Sequence, residues 1–223
     1  MKVLLYGATG MVGQGVLREC LLAPDVTLVQ TVGRTPTGQQ HPKLKELVQR
    51  DLFDSLPMAA ELSGFDACFF CLGVSSAGMT EADYVHLTYD LTLSVAQILA
   101  SLNPGMTLVY VSGAGTDSSE QKGSMWARVK GRTENALQRL PFKAVYLFRP
   151  GVIQPLHGIR SKTGSYQLFY SLSKPFLTPL RALFPNTILS TEIMGRAMLA
   201  VARRGAAKAV LEAPDIRALA VSN

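Results

Sequence analysis

The first thirteen residues set the terms for the rest of the chain. Lys2-Val3-Leu4-Leu5-Tyr6 is an apolar run of strand length, and Gly7-Ala8-Thr9-Gly10-Met11-Val12-Gly13 follows directly, opening a helical run that reaches Leu22. A buried strand, a glycine-rich turn and a helix, in that order, form the unit that binds a dinucleotide. Gly7 permits the tight turn, Gly10 lets the backbone approach a pyrophosphate, and Gly13 lets the helix pack closely on the strand. The phosphates would meet the backbone N–H groups at the positive end of the helix, beside Thr9, Met11 and Val12. A tight strand-to-helix turn with no ligand could use the same glycines. The strand before them and the helix after them are the context that favours the ligand.

A chain of 223 residues with 48% hydrophobic and 17% charged side chains has the composition of a well-buried globular protein and the length of one α/β domain, here residues 1–223. The net charge of +6 suits an anionic ligand, but the basic residues are scattered, so no nucleic-acid partner is expected. Cys68 and Cys71 have the spacing of a redox or metal pair. They fall in an apolar run of strand character, where positions an odd number apart face opposite sides, so with Cys20 they read as core cysteines. No histidine has a metal-ligand spacing, and no metal is expected. No signal segment precedes the first strand and no apolar run approaches the roughly 18 residues of a membrane span, which predicts a cytoplasmic protein without one.

Along the chain, a second strand over Val26–Val32 ends in Gly33-Arg34. An acidic residue about 20 positions past the glycines bonds the ribose hydroxyls of NAD, whereas an arginine there accommodates a 2′-phosphate. Arg34 has no carboxylate beside it in the sequence. NADP(H) is therefore the expected cofactor, NADPH in preference to NADH, and an exposed loop arginine is the other reading. A third short strand is expected to end at Asp51-Leu52, with Asp51 either bonding an adenine or charging the start of a helix over Asp54–Leu62. A fourth strand over Phe65–Cys71 runs into Leu72-Gly73, where a glycine lets the backbone pass beneath a ribose or nicotinamide. A long helix over Thr80–Leu102, a fifth strand over Met106–Val111, a helix over Ser124–Leu140 and a sixth strand over Lys143–Phe148 follow. Arg149-Pro150-Gly151-Val152 then makes a stiffened loop. The segment 152–190 reads as a substrate-side lid, because Ser161–Pro185 mixes aromatic residues and prolines and follows the loop where the chain leaves the cofactor; a homodimer contact and a surface resting on a membrane are the other readings. A helix over Ser190–Arg204 and a strand over Lys208–Leu211 complete the pattern. The fold class expected is α/β, a Rossmann-like doubly wound parallel sheet of about seven strands flanked by helices.

Taken together, Gly7 to Gly13, Arg34, Asp51-Leu52, Cys71-Leu72-Gly73, Val111 to Ala114, Val129-Lys130-Gly131 and Arg149 to Val152 resemble the short-chain dehydrogenase/reductases, and among them an atypical group that includes the Tat-interacting-protein oxidoreductases. The resemblance implies NADP(H) laid across the carboxyl edge of the sheet, held by Gly7, Thr9, Gly10, Met11, Val12, Gly13, Arg34, Asp51, Leu52, Cys71, Leu72, Gly73, Lys130, Pro150, Gly151 and Val152. It also implies a catalytic serine at Ser112 and a catalytic lysine at Lys130. The tyrosine that belongs four residues before that lysine is replaced by Trp126, whose indole N–H donates a hydrogen bond but does not exchange its proton as a phenol does. Two functions follow. One is a cofactor-binding or regulatory protein with weak or no redox turnover, acting on a protein partner. The other is an oxidoreductase of a small carbonyl or quinone that takes its proton through Ser112 and a water, or from Tyr166.

Overall fold

Seven parallel strands lie in the order β3-β2-β1-β4-β5-β6-β9 in the computed structural model, which describes residues 1–54, 58–159, 183, 184 and 186–222. The strands are β1 (Lys2–Tyr6), β2 (Leu28–Gly33), β3 (Leu44–Val48), β4 (Ala67–Phe70), β5 (Thr107–Val111), β6 (Ala144–Arg149) and β9 (Val210–Glu212). The order reverses between β1 and β4, the crevice in which open α/β sheets bind their ligands.

Both faces of the sheet are covered, which is why its strands read as continuous apolar runs. Val3 and Leu5 of β1 face one core with Phe69, and Leu4 and Tyr6 face the other with Phe70. The first core is closed by α1 (Met11–Leu22), α5 (Thr191–Arg204) and α6 (Ala213–Val221) through Val16, Met198 and Ile216. The second is closed by α3 (Leu91–Leu102) and α4 (Met125–Leu137) through Val95, Leu99 and Leu137. Cys68 and Cys71 pack on opposite cores as the strand parity requires, and burial pushes the Cys71 thiol up to about 12. No group of three potential metal ligands occurs among the described residues, and no described helix is long and apolar enough to cross a membrane.

Several expected elements are corrected. The third strand is β3, not Asp51-Leu52: it is the sheet edge, leaving Lys45, Glu46 and Val48 exposed, so it carries no apolar run and is defined by its register with β2, Val29 opposite Leu44. Of the helix expected over Asp54–Leu62, residues 55–57 lie outside the described residues. Met58–Leu62 forms only a turn, in which Leu62 N–H donates to Met58 O at 3.0 Å. The helix expected over Thr80–Leu102 forms as α2 (Glu81–Val85) and α3 joined by a π-helical turn, His86–Asp90, with Thr80 as its cap. Val152 is not loop: it opens β7 (Val152–Gln154), which pairs in parallel with β8 (Ile188–Ser190) in a second small sheet. Most of the expected lid, 160–182 and 185, including Tyr166, lies outside the described residues.

Candidate functional site

A cleft of about 1000 Å³ opens along the carboxyl ends of β1, β2, β4, β5 and β6. Its floor is the first turn of the chain. Gly7 has a φ of +79°, and a Cβ there would lie 2.7 Å from Cys71 O. A Cβ on Gly13 would lie 2.1 Å from Gly7 O. These two glycines are required by the protein's own backbone, and Gly13 does not line the cleft. Gly10 differs. Its backbone is extended, at φ −78° and ψ 164°, and a Cβ on it would meet only Gly7 O, at 3.3 Å. That oxygen would have to give by only a few tenths of an ångström, so the protein's own backbone needs glycine here far less than at Gly7 or Gly13. What the missing side chain leaves clear is the cleft in front of α1.

Gly10 is also the N-cap of α1. It supplies no side-chain hydrogen bond, and the first turn carries no acidic residue. The leading N–H groups of a helix have no intrahelical partner, so the cleft wall formed by Thr9, Gly10, Met11 and Val12 offers positive backbone dipoles. Leu52, Cys71, Leu72 and Gly73 line the cleft on the β3 and β4 sides, and Pro150 and Gly151 do so beyond β6. Arg34 stands at the end of β2, exposed and without a hydrogen bond or ion pair among the described residues.

At the inner end, Lys130 of α4 reaches back under β5, where its ammonium donates to Ser112 O at 2.7 Å and to Val111 O at 3.4 Å. Burial brings its pKa down to about 8, partly countered by the Glu134 carboxylate one turn along the helix, so the amine remains mostly protonated at neutral pH. Ser112 lines the cleft, yet its one hydroxyl proton is committed: Oγ lies 2.5 Å from Glu134 Oε1 and 3.2 Å from Phe148 O. Glu134 is 1% exposed and its carboxylate is gripped by both Nε, at 3.1 Å, and Nη2 of Arg149. An acceptor held by a guanidinium fork keeps the serine proton directed at itself.

Four of the expected residues are not brought to the cleft. Besides Gly13, Asp51 stays outside it, its Oδ1 accepting from Phe53 N–H at 2.9 Å in a local turn. Val152 faces away, and its strand neighbour Ile153 takes the lining position, as the alternation of a strand dictates. Trp126 is absent from the lining as well: its ring lies over the next turn, where Cβ atoms built on Gly113 and Gly115 would approach it at 3.8 and 3.7 Å. Two residues that the sequence did not single out are part of the site. Glu46 of β3 lines the same end of the cleft as Arg34, and Glu134 controls Ser112. The spacing of Lys130 and Glu134 on one helical face was a visible signal for the second; none pointed to the first.

No family model matches the chain. Over 159 residues it is 31% identical to the mitochondrial protein fmp52 of Emericella nidulans, covering 68% of this chain and 66% of that one. It is 30% identical over 166 residues to FMP52 of Saccharomyces cerevisiae, covering 73% and 69%, and 28% identical over 154 residues to HTATIP2 of Rattus norvegicus, covering 68% and 62%. The match thus spans about two thirds of these relatives' length. Among solved structures, the Bordetella bronchiseptica enzyme WbmF in complex with NAD+ aligns with a TM-score of 0.66 at 15% identity, over 98% of this chain and 76% of that one. The dTDP-glucose 4,6-dehydratase DesIV from Streptomyces venezuelae, with NAD bound, aligns with a TM-score of 0.68 at 19% identity, over 95% and 75%. The expected cytoplasmic location is overturned by the relatives, since the fungal proteins are named mitochondrial. It was argued from the lack of a signal segment and of a membrane-length apolar run, and neither distinguishes one compartment from another.

Proposed function

Since the chain belongs to the family of the FMP52 proteins and HTATIP2, an atypical branch of the short-chain dehydrogenase/reductases, we propose that its cleft binds a nicotinamide adenine dinucleotide, NADP(H) in preference to NAD(H), and that it serves mainly as a cofactor-binding or regulatory protein. The observation that carries the binding is Gly10, a glycine that the protein's own packing needs far less than Gly7 or Gly13, placed at the uncapped start of α1. The pyrophosphate would be held by the backbone N–H groups of Met11 and Val12, the Gly10 N–H being bonded to Gly7 O at 2.9 Å, the 2′-phosphate by Arg34, and the nicotinamide ribose by Lys130. Solved relatives in fold carry NAD in their complexes, and that supports the same class of ligand here.

Weak or absent turnover follows from the inner end of the cleft. The bound cofactor would supply a hydride, and a carbonyl receiving it needs a proton. Trp126 is neither an acid nor part of the lining, and the Ser112 proton is directed at Glu134. One observation favours a second reading, an oxidoreductase acting on a small carbonyl or quinone: Lys130 lines the cleft with its pKa brought down to about 8, within the range of a general acid.

Two measurements test these readings. NADPH should bind more tightly than NADH by about 1.5 to 3 kcal/mol if Arg34 makes charge-assisted bonds to the 2′-phosphate, and Arg34→Ala should remove most of that gap. Equal affinities in the unmutated protein would sink the assignment. Turnover is then read as NADPH oxidation over a panel of aldehydes, ketones and quinones. Weak activity or none is expected; a substrate turned over at ordinary enzymatic rates would replace the regulatory reading with the oxidoreductase one.

A further inference from the structure

We propose that Glu46 is a second determinant of cofactor choice, working against Arg34 at the adenosine end of the cleft. The inference rests on the dinucleotide reading above. In the sequence Arg34 has no acidic neighbour, but β3 pairs with β2 so that Glu46 lies opposite Thr31 and Val48 opposite Gly33. Arg34 therefore leaves the sheet beside the end of β3, and Arg34, Thr37, Glu46 and Val48 line one end of one cavity.

The Glu46 carboxylate is fixed there. Thr37 donates to its Oε1 twice, through the backbone N–H at 2.7 Å and through the hydroxyl. Oε2 has no hydrogen-bond partner among the described residues, and Arg34 and Glu46 form no ion pair with each other. Each group thus retains its own charge and its own unused bonding capacity toward whatever enters.

Those capacities are opposed. A guanidinium donates to a 2′-phosphate and attracts it, whereas a carboxylate repels the phosphate and accepts a hydrogen bond from a free 2′-hydroxyl. Glu46 is in this sense the acidic residue of an NAD site, delivered by a neighbouring strand and not by the end of β2. It narrows the preference for NADPH below what Arg34 alone would produce.

The experiment is a titration of the unmutated protein and of Glu46→Gln with NADPH and with NADH. Glutamine keeps the length of the side chain and an oxygen for Thr37 to bond, and removes the charge. NADPH should tighten and NADH should weaken, so that the ratio of their Kd values moves toward NADPH by about three- to tenfold, less at high ionic strength. The sign separates this role from a structural one: a substitution that merely loosened the turn carrying Arg34 would weaken NADPH and move the ratio the other way. An unchanged ratio, or one shifted toward NADH, overturns the proposal. Failure of the unmutated protein to bind either dinucleotide overturns the reading beneath it, and the proposal with it.

Discussion

Gly10→Val is expected to remove cofactor binding while the protein stays folded, and Gly13→Ala is expected to do nearly the reverse. At Gly10 the backbone angles suit a β-branched residue, and the nearest obstacle to a Cβ is one oxygen at 3.3 Å. The folding cost is that of a poor N-cap, about 1 kcal/mol. The branched side chain would instead occupy the space in front of the α1 N–H groups where a pyrophosphate must lie. Dissociation constants for NADPH should rise at least about 100-fold, equivalent to about 2.8 kcal/mol. At Gly13 the added carbon would sit 2.1 Å from Gly7 O, a backbone atom that moves only if the turn moves with it. That overpacking should cost about 1–3 kcal/mol or more of folding stability. Calorimetric titration paired with denaturant unfolding of both variants reads the two effects separately. Unchanged NADPH affinity in folded Gly10→Val would mean that the glycine turn serves only the fold.

Glu134→Ala carries the other large effect, on stability. Glu134 and Arg149 are both buried, and Arg149 also bonds Ser118 Oγ at 2.6 Å and lies 3.6 Å from Glu212. Removing the carboxylate strands a guanidinium between β6 and α4 with only a partly exposed acid left to balance it. Breaking a buried pair in this way costs about 3–5 kcal/mol, against a total stability of about 5–15 kcal/mol for a protein of ordinary stability. The loss should appear as a lower denaturant midpoint with an unchanged slope. A change below about 1 kcal/mol would show that the pair is solvated in solution and does not hold Ser112. The double variant Glu134→Leu with Arg149→Met should recover part of the loss, because no guanidinium is left buried without its carboxylate, while Lys130 and Glu212 still lose a partner.

Both experiments probe contacts that differ in how far they can be read from residues alone. The order of strands and helices was legible because a parallel sheet covered on both faces writes its strands as uninterrupted apolar runs: Lys2–Tyr6 and Thr107–Val111 stand where the sequence puts them, or within a residue. β3 escaped because an edge strand with charged, exposed side chains has no such run, and the small sheet of β7 and β8 escaped because its paired residues, Val152 with Ile188 among them, lie 36 positions apart. The strand parity that separated Cys68 from Cys71 also holds at Val152 and Ile153, where it assigns the lining to the second.

By itself, then, the sequence determined the layered α/β architecture and the glycine turn at the head of α1, since each depends on local spacing and on which side chains water excludes, while Ser112, Trp126 and Lys130 were singled out by what the resemblance to the short-chain dehydrogenase/reductases implies. Tertiary structure alone decided what those groups can do. It turned the Ser112 proton toward Glu134, laid the Trp126 ring over a neighbouring turn, left Asp51 outside the cleft and set Glu46 at the same end as Arg34. The physical reason is that a side chain's hydrogen-bonding state and charge environment are set by partners brought close through strand register and helix packing, and proximity of that kind has no signature in sequence separation.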